Sequence, residues 1–353
     1  MKKLFALVIA LLMLCACGTE ELPAEVPNDI PKESSGELSE EVPENAEKTE
    51  NEEKVVFTIG EKDYEVNAAK GTVITDNGNG SFQIDVPSLA EGMDADLSAL
   101  FGCEDITELY LYFHADAKEI IIPKMPNLES LNIFGTTAET IDISALEGTQ
   151  SVHFNIHPNE LKIGKGPEKL LVDYAFELSK LAGAENVKSI TVHGDNDLSL
   201  IADIGEVEEV YIIGEETNIG ELENLKSLKR LSIYAMDPDF SPLENLTVES
   251  LVISDGCTHS FIESFTYSET ITEIQINDEI LEDAAFIEKM PNLKKILLNV
   301  DPVQDESAIL WNEAPLEKEA IDLLNTNIPK EQLKAFAEKG GEIYLIPDLW
   351  RNN

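Results

Sequence analysis

Five histidines, His114, His153, His157, His193 and His259, are the natural general bases of this chain. A base must meet a nucleophile and an orienting group before it can drive acyl or glycosyl transfer. The motifs that assemble such groups are missing: there is no G-x-S-x-G elbow, phosphate-cradling glycine loop, Cys-x-x-Cys pair or H-E-x-x-H helix. His153 and His193 fall two sequence repeats apart, roughly 10 Å at the spacing of paired strands, too far for one metal ion. Carboxylates abound, but abundance alone describes a solvated surface rather than a glycosidase pair. The expectation is a chain that is not an enzyme and carries no cofactor and no metal.

A second constellation has the chemistry of recognition. Tyr110, Tyr112, Asn132, Phe134, His153, Asn155, Asp173, His193, Tyr211 and Tyr234 occupy alternate positions within short apolar-x-apolar phrases. A column of Glu108, Ser130, Ser151, Lys169, Ser189, Glu209 and Arg230 runs beside them. Aromatics among short polar residues offer contact area at low entropic cost. Aromatics also suit strands simply because they fit the pleat.

The elements that must position these residues are repeats. An apolar residue, two polar ones, then apolar-x-apolar appears as Ile106-Thr-Glu-Leu109-Tyr-Leu111 and Leu128-Glu-Ser-Leu131-Asn-Ile133. It returns at Ile190, Val210, Leu231, Leu251, Ile274 and Ile296, with weaker copies at Val152 and Leu170. Successive central residues are 18 to 23 positions apart. Such a period signals stacked units, each too small to bury its own apolar face. The alternation predicts one half-buried strand per unit, so the strands form a parallel ladder. With Leu109 and Leu111 inward, the ten recognition residues point outward; a one-residue slip would exchange the faces.

The period and the L-x-x-L-x-L form of Leu128 to Ile133 resemble leucine-rich repeats, most of all the irregular repeats of bacterial surface proteins. The resemblance spans roughly residues 100–346. It departs from the family three residues after the last strand apolar, where Asn or Cys is usual and His114, Thr136, Asp195, Glu215, Met236 and Gly256 stand. It implies an α/β, β-rich, curved leucine-rich-repeat-like solenoid with one parallel strand per repeat of about 21 residues. Function does not follow from a fold.

Other segments are set by composition. Residues 1–16 combine a basic start with an apolar run from Leu4 to Leu14, as an export signal does. Leu14-Cys15-Ala16-Cys17 resembles a bacterial lipobox, which implies cleavage before Cys17 and lipidation of its thiol. Two acyl chains anchor durably where one would not. The alternative is a plain secretory signal with a chance cysteine. Residues 17–54 are the lipidated cysteine and an acidic linker: from residue 18 on, 13 acids face three bases, four prolines interrupt and no aromatic occurs. That stretch is expected to stay disordered. Residues 55–100 are expected to form an N-terminal β cap, with strands at Val55–Ile59 and Tyr64–Val66 and a hairpin turn at Asp76-Asn-Gly-Asn-Gly80. Residues 101–300 hold the repeats and 301–353 the last repeats and a cap. In that cap a helix runs from Pro329 to the Gly340-Gly341 stop, a strand covers Glu342–Leu345, Ile321–Leu323 forms the rung before it, and Leu349 and Trp350 fold back over the end.

In the early repeats a second short strand is expected at Glu119–Ile122, Glu139–Ile143 and Glu160–Ile163, with more helical returns later. Cys103 and Cys257 lie seven rungs apart, about 34 Å, so both should be free thiols.

The formal charge of −44 excludes nucleic acid and a polybasic membrane face. The expected protein is a monomer, lipid-anchored at the extracytoplasmic face of a bacterial membrane, binding a protein or peptide through the exposed ladder. The alternatives are a cell-wall or dietary polysaccharide binder, against which Trp311 and Trp350 are the only tryptophans, a hydrolytic enzyme, and a plain surface spacer.

Overall fold

The alternation of the repeats is realised strand by strand. The computed structural model describes residues 52–59, 62–69, 71–87, 95–114, 116–146, 148–174, 176–193, 195–214, 217–277, 283–299, 314–324 and 328–346. The strands are β1 (Glu52–Ile59), β2 (Lys62–Ala69), β3 (Val73–Gly78), β4 (Ser81–Val86), β5 (Ala95–Asp96), β6 (Glu108–Phe113), β7 (Ala117–Ile121), β8 (Ser130–Asp142) and β9 (Ser151–Lys162). They continue as β10 (Lys169–Val172), β11 (Ser189–His193), β12 (Glu209–Gly214), β13 (Arg230–Ala235), β14 (Ser250–Ser254), β15 (Glu273–Asn277), β16 (Lys295–Leu298) and β17 (Glu342–Leu345). The α-helices among the described residues are α1 (Thr258–Ser264) and α2 (Lys330–Glu338), and several 3-10 turns accompany them.

The result is β-rich, with a long and mostly parallel sheet of consecutive strands. β4, β6 and β8 to β17 pair side by side, all parallel. Their registers put Phe82, Leu109, Leu131, Val152, Leu170, Ile190, Val210, Leu231, Leu251, Ile274, Ile296 and Ile343 in one row, and all are buried. A second buried row, from Ile84 to Leu345, lies two residues further along each strand. Burying each such side chain is worth about 1.5–3 kcal/mol. A register slip would expose both rows at once, so the pairing is strongly specified.

The chain returns in two ways. Early on it builds a second parallel ladder from β5, β7 and the far halves of β8 and β9, with Ile120, Ile141 and Leu161 in register. β8 turns from one ladder to the other at an irregularity between Phe134 and Thr137. Gly135 sits in that bend, where a Cβ would lie 3.1 Å from the Phe113 Cβ and 3.0 Å from the Ile156 Cδ1. β9 is the last strand of this second ladder and contains Pro158, which has no N–H to give a further strand. Later returns are 3-10 turns over Leu178–Leu181, Leu198–Asp203, Ile219–Asn224, Ser241–Asn245 and Ala285–Lys289, plus α1. Aspartates initiate several of them: Asp197, Asp239 and Asp283 each accept the N–H two residues on, the local bond that draws backbone into a turn. Leu181, Ile201, Leu222, Leu243 and Phe261 pack from this side against the sheet rows.

Most strand positions match the sequence reading, but three boundaries differ. Strand β1 begins at Glu52, so the last three linker residues belong to a hairpin; β2 pairs along its whole length, and Lys54 is joined to Glu65. β4 lies within the expected cap, yet it pairs in parallel with β6 and is itself a rung. Its central Phe82 lies 27 residues before Leu109, outside the 18–23 period, because the β5 excursion is inserted between them. Ile321–Leu323 is not a rung: it falls in a 3-10 turn, and β16 pairs directly with β17. The Asp76–Gly80 hairpin forms as expected, with Gly78, Asn79 and Gly80 at positive φ, and so does α2, which follows Pro329. Cys103 and Cys257 are buried free thiols. Residues 1–51, including Cys15 and Cys17, and the 347–353 end with Trp350 lie outside the described residues, as does Trp311.

Candidate functional site

The outward face of the ladder carries three rows. One residue before each central apolar comes Glu108, Ser130, Ser151, Lys169, Ser189, Glu209, Arg230, Ser250, Glu273, Lys295 and Glu342. One residue after it comes Tyr110, Asn132, His153, Leu171, Thr191, Tyr211, Ser232, Val252, Gln275, Leu297 and Tyr344. The third row starts Asp85, Tyr112, Phe134, Asn155. Asp173 continues it, its N–H bonded to the Phe154 carbonyl, and His193, Ile213 and Tyr234 follow.

Of the ten residues expected to face solvent, eight are partly exposed. Asn132 and His153 are not: each is only 5 % exposed. Rungs about 4.8 Å apart let large neighbours close over a residue in the middle row. His153 has the Phe134 ring on one side, edge to face at 5.2 Å, and Leu171 in register on the other. Asn132 lies between Tyr110 and His153 and donates to the Ser130 hydroxyl at 3.2 Å.

The face divides into two chemistries. From β4 to β11 it is mostly aromatic and acidic, with Lys169 the one lysine in its rows. Tyr112 and Phe134 stack with centroids 4.7 Å apart and planes within 8°. Tyr110 donates its hydroxyl to Glu108 at 2.9 Å. His193 Nε2 lies 3.1 Å from Asp173 Oδ1, and the Tyr174 N–H bonds the same oxygen at 2.8 Å. Tyr174 itself is 63 % exposed and meets His193 edge to face. Burial resists ionisation of Asp173, but the His193 and Tyr174 hydrogen bonds outweigh it and hold the carboxyl below its ordinary range. Burial pushes the His153 imidazole down to about 4, only partly offset by the Asp173 charge. Its Nε2 is buried with no hydrogen-bond partner.

From β13 to β17 the face is salt-bridged to itself. Arg230 donates to the Ser250 hydroxyl, which donates to Glu273. Glu273 also pairs with Arg230 at 3.8 Å and with Lys295 at 3.3 Å. Lys295 lies 4.7 Å above the Tyr344 ring. Tyr211 and Tyr234 stand at the boundary, half-buried, with burial raising both hydroxyl pKa values.

Two members of the site escaped sequence reasoning. Asp85 belongs to the off-period rung β4. Tyr174 lies beyond β10, where strict alternation would turn it inward; the strand ends at Val172 and the ring turns out instead. The Asp173–Tyr174 pair, an aspartate that can accept its neighbour's N–H, was the available signal.

Among the described residues no group of three or more His, Cys, Asp or Glu is placed to hold a metal ion, and no helix is long and apolar enough to cross a membrane. No family model, curated protein or solved structure matches the chain.

Proposed function

We propose that this chain is a lipid-anchored bacterial surface protein that binds a protein or peptide, without catalysis, across the outward face of its ladder. The observation that carries this reading is the partly exposed Tyr112–Phe134 stack on adjacent rungs, held from beneath by the buried His153 ring that Phe134 meets edge to face. Rigid aromatics held by a sheet give contact area with little entropy left to lose. In the same reading the ladder is one wall of a curved, leucine-rich-repeat-like solenoid. Cys17 carries the lipid, the acidic linker spaces the folded part from the membrane, and the protein works as a monomer. The polysaccharide alternative draws on the same rings, but the sequence has only two tryptophans, Trp311 and Trp350, both far along the chain from them.

A displayed peptide library panned against the full chain tests the reading. Selected peptides should lose at least tenfold in affinity for the Tyr110→Ala/Phe134→Ala variant. Peptides that bind wild type and variant equally would remove the ladder as the site. A hit on a glycan array with no peptide selected would replace the peptide by a polysaccharide.

A further inference from the structure

The two halves of the ladder differ in how they treat their acids. In the second half the chain supplies its own cation to an aromatic and a carboxylate: Lys295 lies between Tyr344, at 4.7 Å, and Glu273, at 3.3 Å. The first half has the aromatics and the carboxylates, and the one lysine in its outward rows, Lys169, forms an ion pair with neither Asp85 nor Asp173. Asp85 is in register beside Tyr112, whose other neighbour is Phe134. Asp173 is followed directly by the exposed Tyr174. Among the described residues the basic side chains against these acids are the imidazoles of His114, at 3.7 Å, and His193, at 3.1 Å, not a lysine or arginine, and Asp85 also accepts from the Gln83 amide at 2.8 Å. Between the two pairs, on the same face, lies His153 with its unpartnered Nε2. A ring beside a carboxylate is the arrangement that receives an ammonium or guanidinium group. The excess of 69 acidic over 25 basic residues draws cationic partners towards the chain and repels anionic ones.

We propose that the first half of the ladder receives an extended polypeptide bearing two cationic side chains, one seated at Asp85 and Tyr112 and the other at Asp173 and Tyr174. This deepens the peptide-binding reading above and rests on it. The two seats are four rungs apart, from β4 through β6, β8 and β9 to β10, or about 19 Å. An extended chain advances about 3.3 Å per residue, so the two cations should stand about six residues apart. The peptide crosses the strands instead of pairing with an edge.

Fluorescence anisotropy of the full chain with labelled synthetic peptides tests this. Each peptide is neutral except for two arginines, placed either six positions or two positions apart. The six-position peptide should bind at least tenfold more tightly than the two-position one. Asp85→Asn and Tyr174→Ala, both at least partly exposed sites, should each cost that peptide about tenfold, while Glu273→Gln in the self-paired half should change nothing. Affinity that ignores spacing and both substitutions, and falls only with added salt, would overturn the proposal as diffuse attraction to an acidic surface. Library peptides that depend on Phe134 but carry no cation would overturn it too, while leaving peptide binding intact. If no peptide depends on the ladder, both readings fall.

Discussion

The Tyr112 and Phe134 rings stack within 8° of parallel, on rungs that pair residue for residue. Offset stacking contributes about 0.5–1.5 kcal/mol beyond the area buried. Both rings are partly exposed, so their coupling can be measured without opening the core. A double-mutant cycle of Tyr112→Leu and Phe134→Leu, read from urea midpoints, should give a coupling energy in that range. Additive single effects would mean that the rings are neighbours only by register.

His153 should make stability depend on pH. Its folded pKa of about 4 lies below the 6.5 of an unconstrained histidine because burial disfavours the charged ring. Between those values the unfolded chain binds the proton and the folded chain does not. Stability from this residue is therefore complete above about pH 7, falls as pH drops through the window, and falls no further below about pH 4. The full loss is about 3 kcal/mol, at 1.36 kcal/mol per unit. Carboxylates titrate near the lower end, so the comparison must be with His153→Gln. The stability gap between wild type and variant should shrink by that amount from pH 7 to pH 4; a gap that stays constant would show that the ring is already charged in the fold.

The central apolar residues could be read directly because burying one face leaves a period of two with a single solution per strand. Ten of the twelve residues in the buried row, from Leu109 to Ile296, follow from that pattern. Phe82 does not, since the insertion before β6 breaks the spacing that identifies a repeat. Ile343 was legible as a strand but not as the rung next to Ile296, because a long insertion separates them. The outer face was harder. Alternation says which way Asn132 and His153 point, but not whether their neighbours close over them. That depends on the size of residues some twenty positions away in sequence, such as Phe134 beside His153. Tyr174 was lost for the opposite reason: alternation stops being informative where a strand ends.

At the end of α2, Gly341 packs against its own helix. A Cβ there would sit 2.3 Å from the Phe336 Cζ and 2.4 Å from its Cε1. Phe336 is buried, with little room to retreat. Gly341→Ala should therefore destabilise the chain by about 1–3 kcal/mol, the usual cost of forcing atoms into a packed site. Gly340 has positive φ and open space around it, so Gly340→Ala should cost only about 1 kcal/mol, from backbone strain. Thermal melts of the two variants separate the causes. Equal losses would mean that the ring moves aside freely.

The proposed lipid anchor has a test that needs nothing from the ladder. Lipid transfer to a lipobox requires a thiol at one position only, and the residue two places before it is removed with the signal. Cys17→Ala should abolish incorporation of labelled palmitate and leave the unprocessed chain, whereas Cys15→Ala should preserve both labelling and cleavage. The two thiols are two residues apart and chemically alike, so general acylation of exposed cysteines would label both variants. Loss with Cys15→Ala alone, or label retained in Cys17→Ala, would remove the lipid anchor. A membrane-bound chain would then need another explanation, because an acidic surface has no electrostatic affinity for an anionic leaflet.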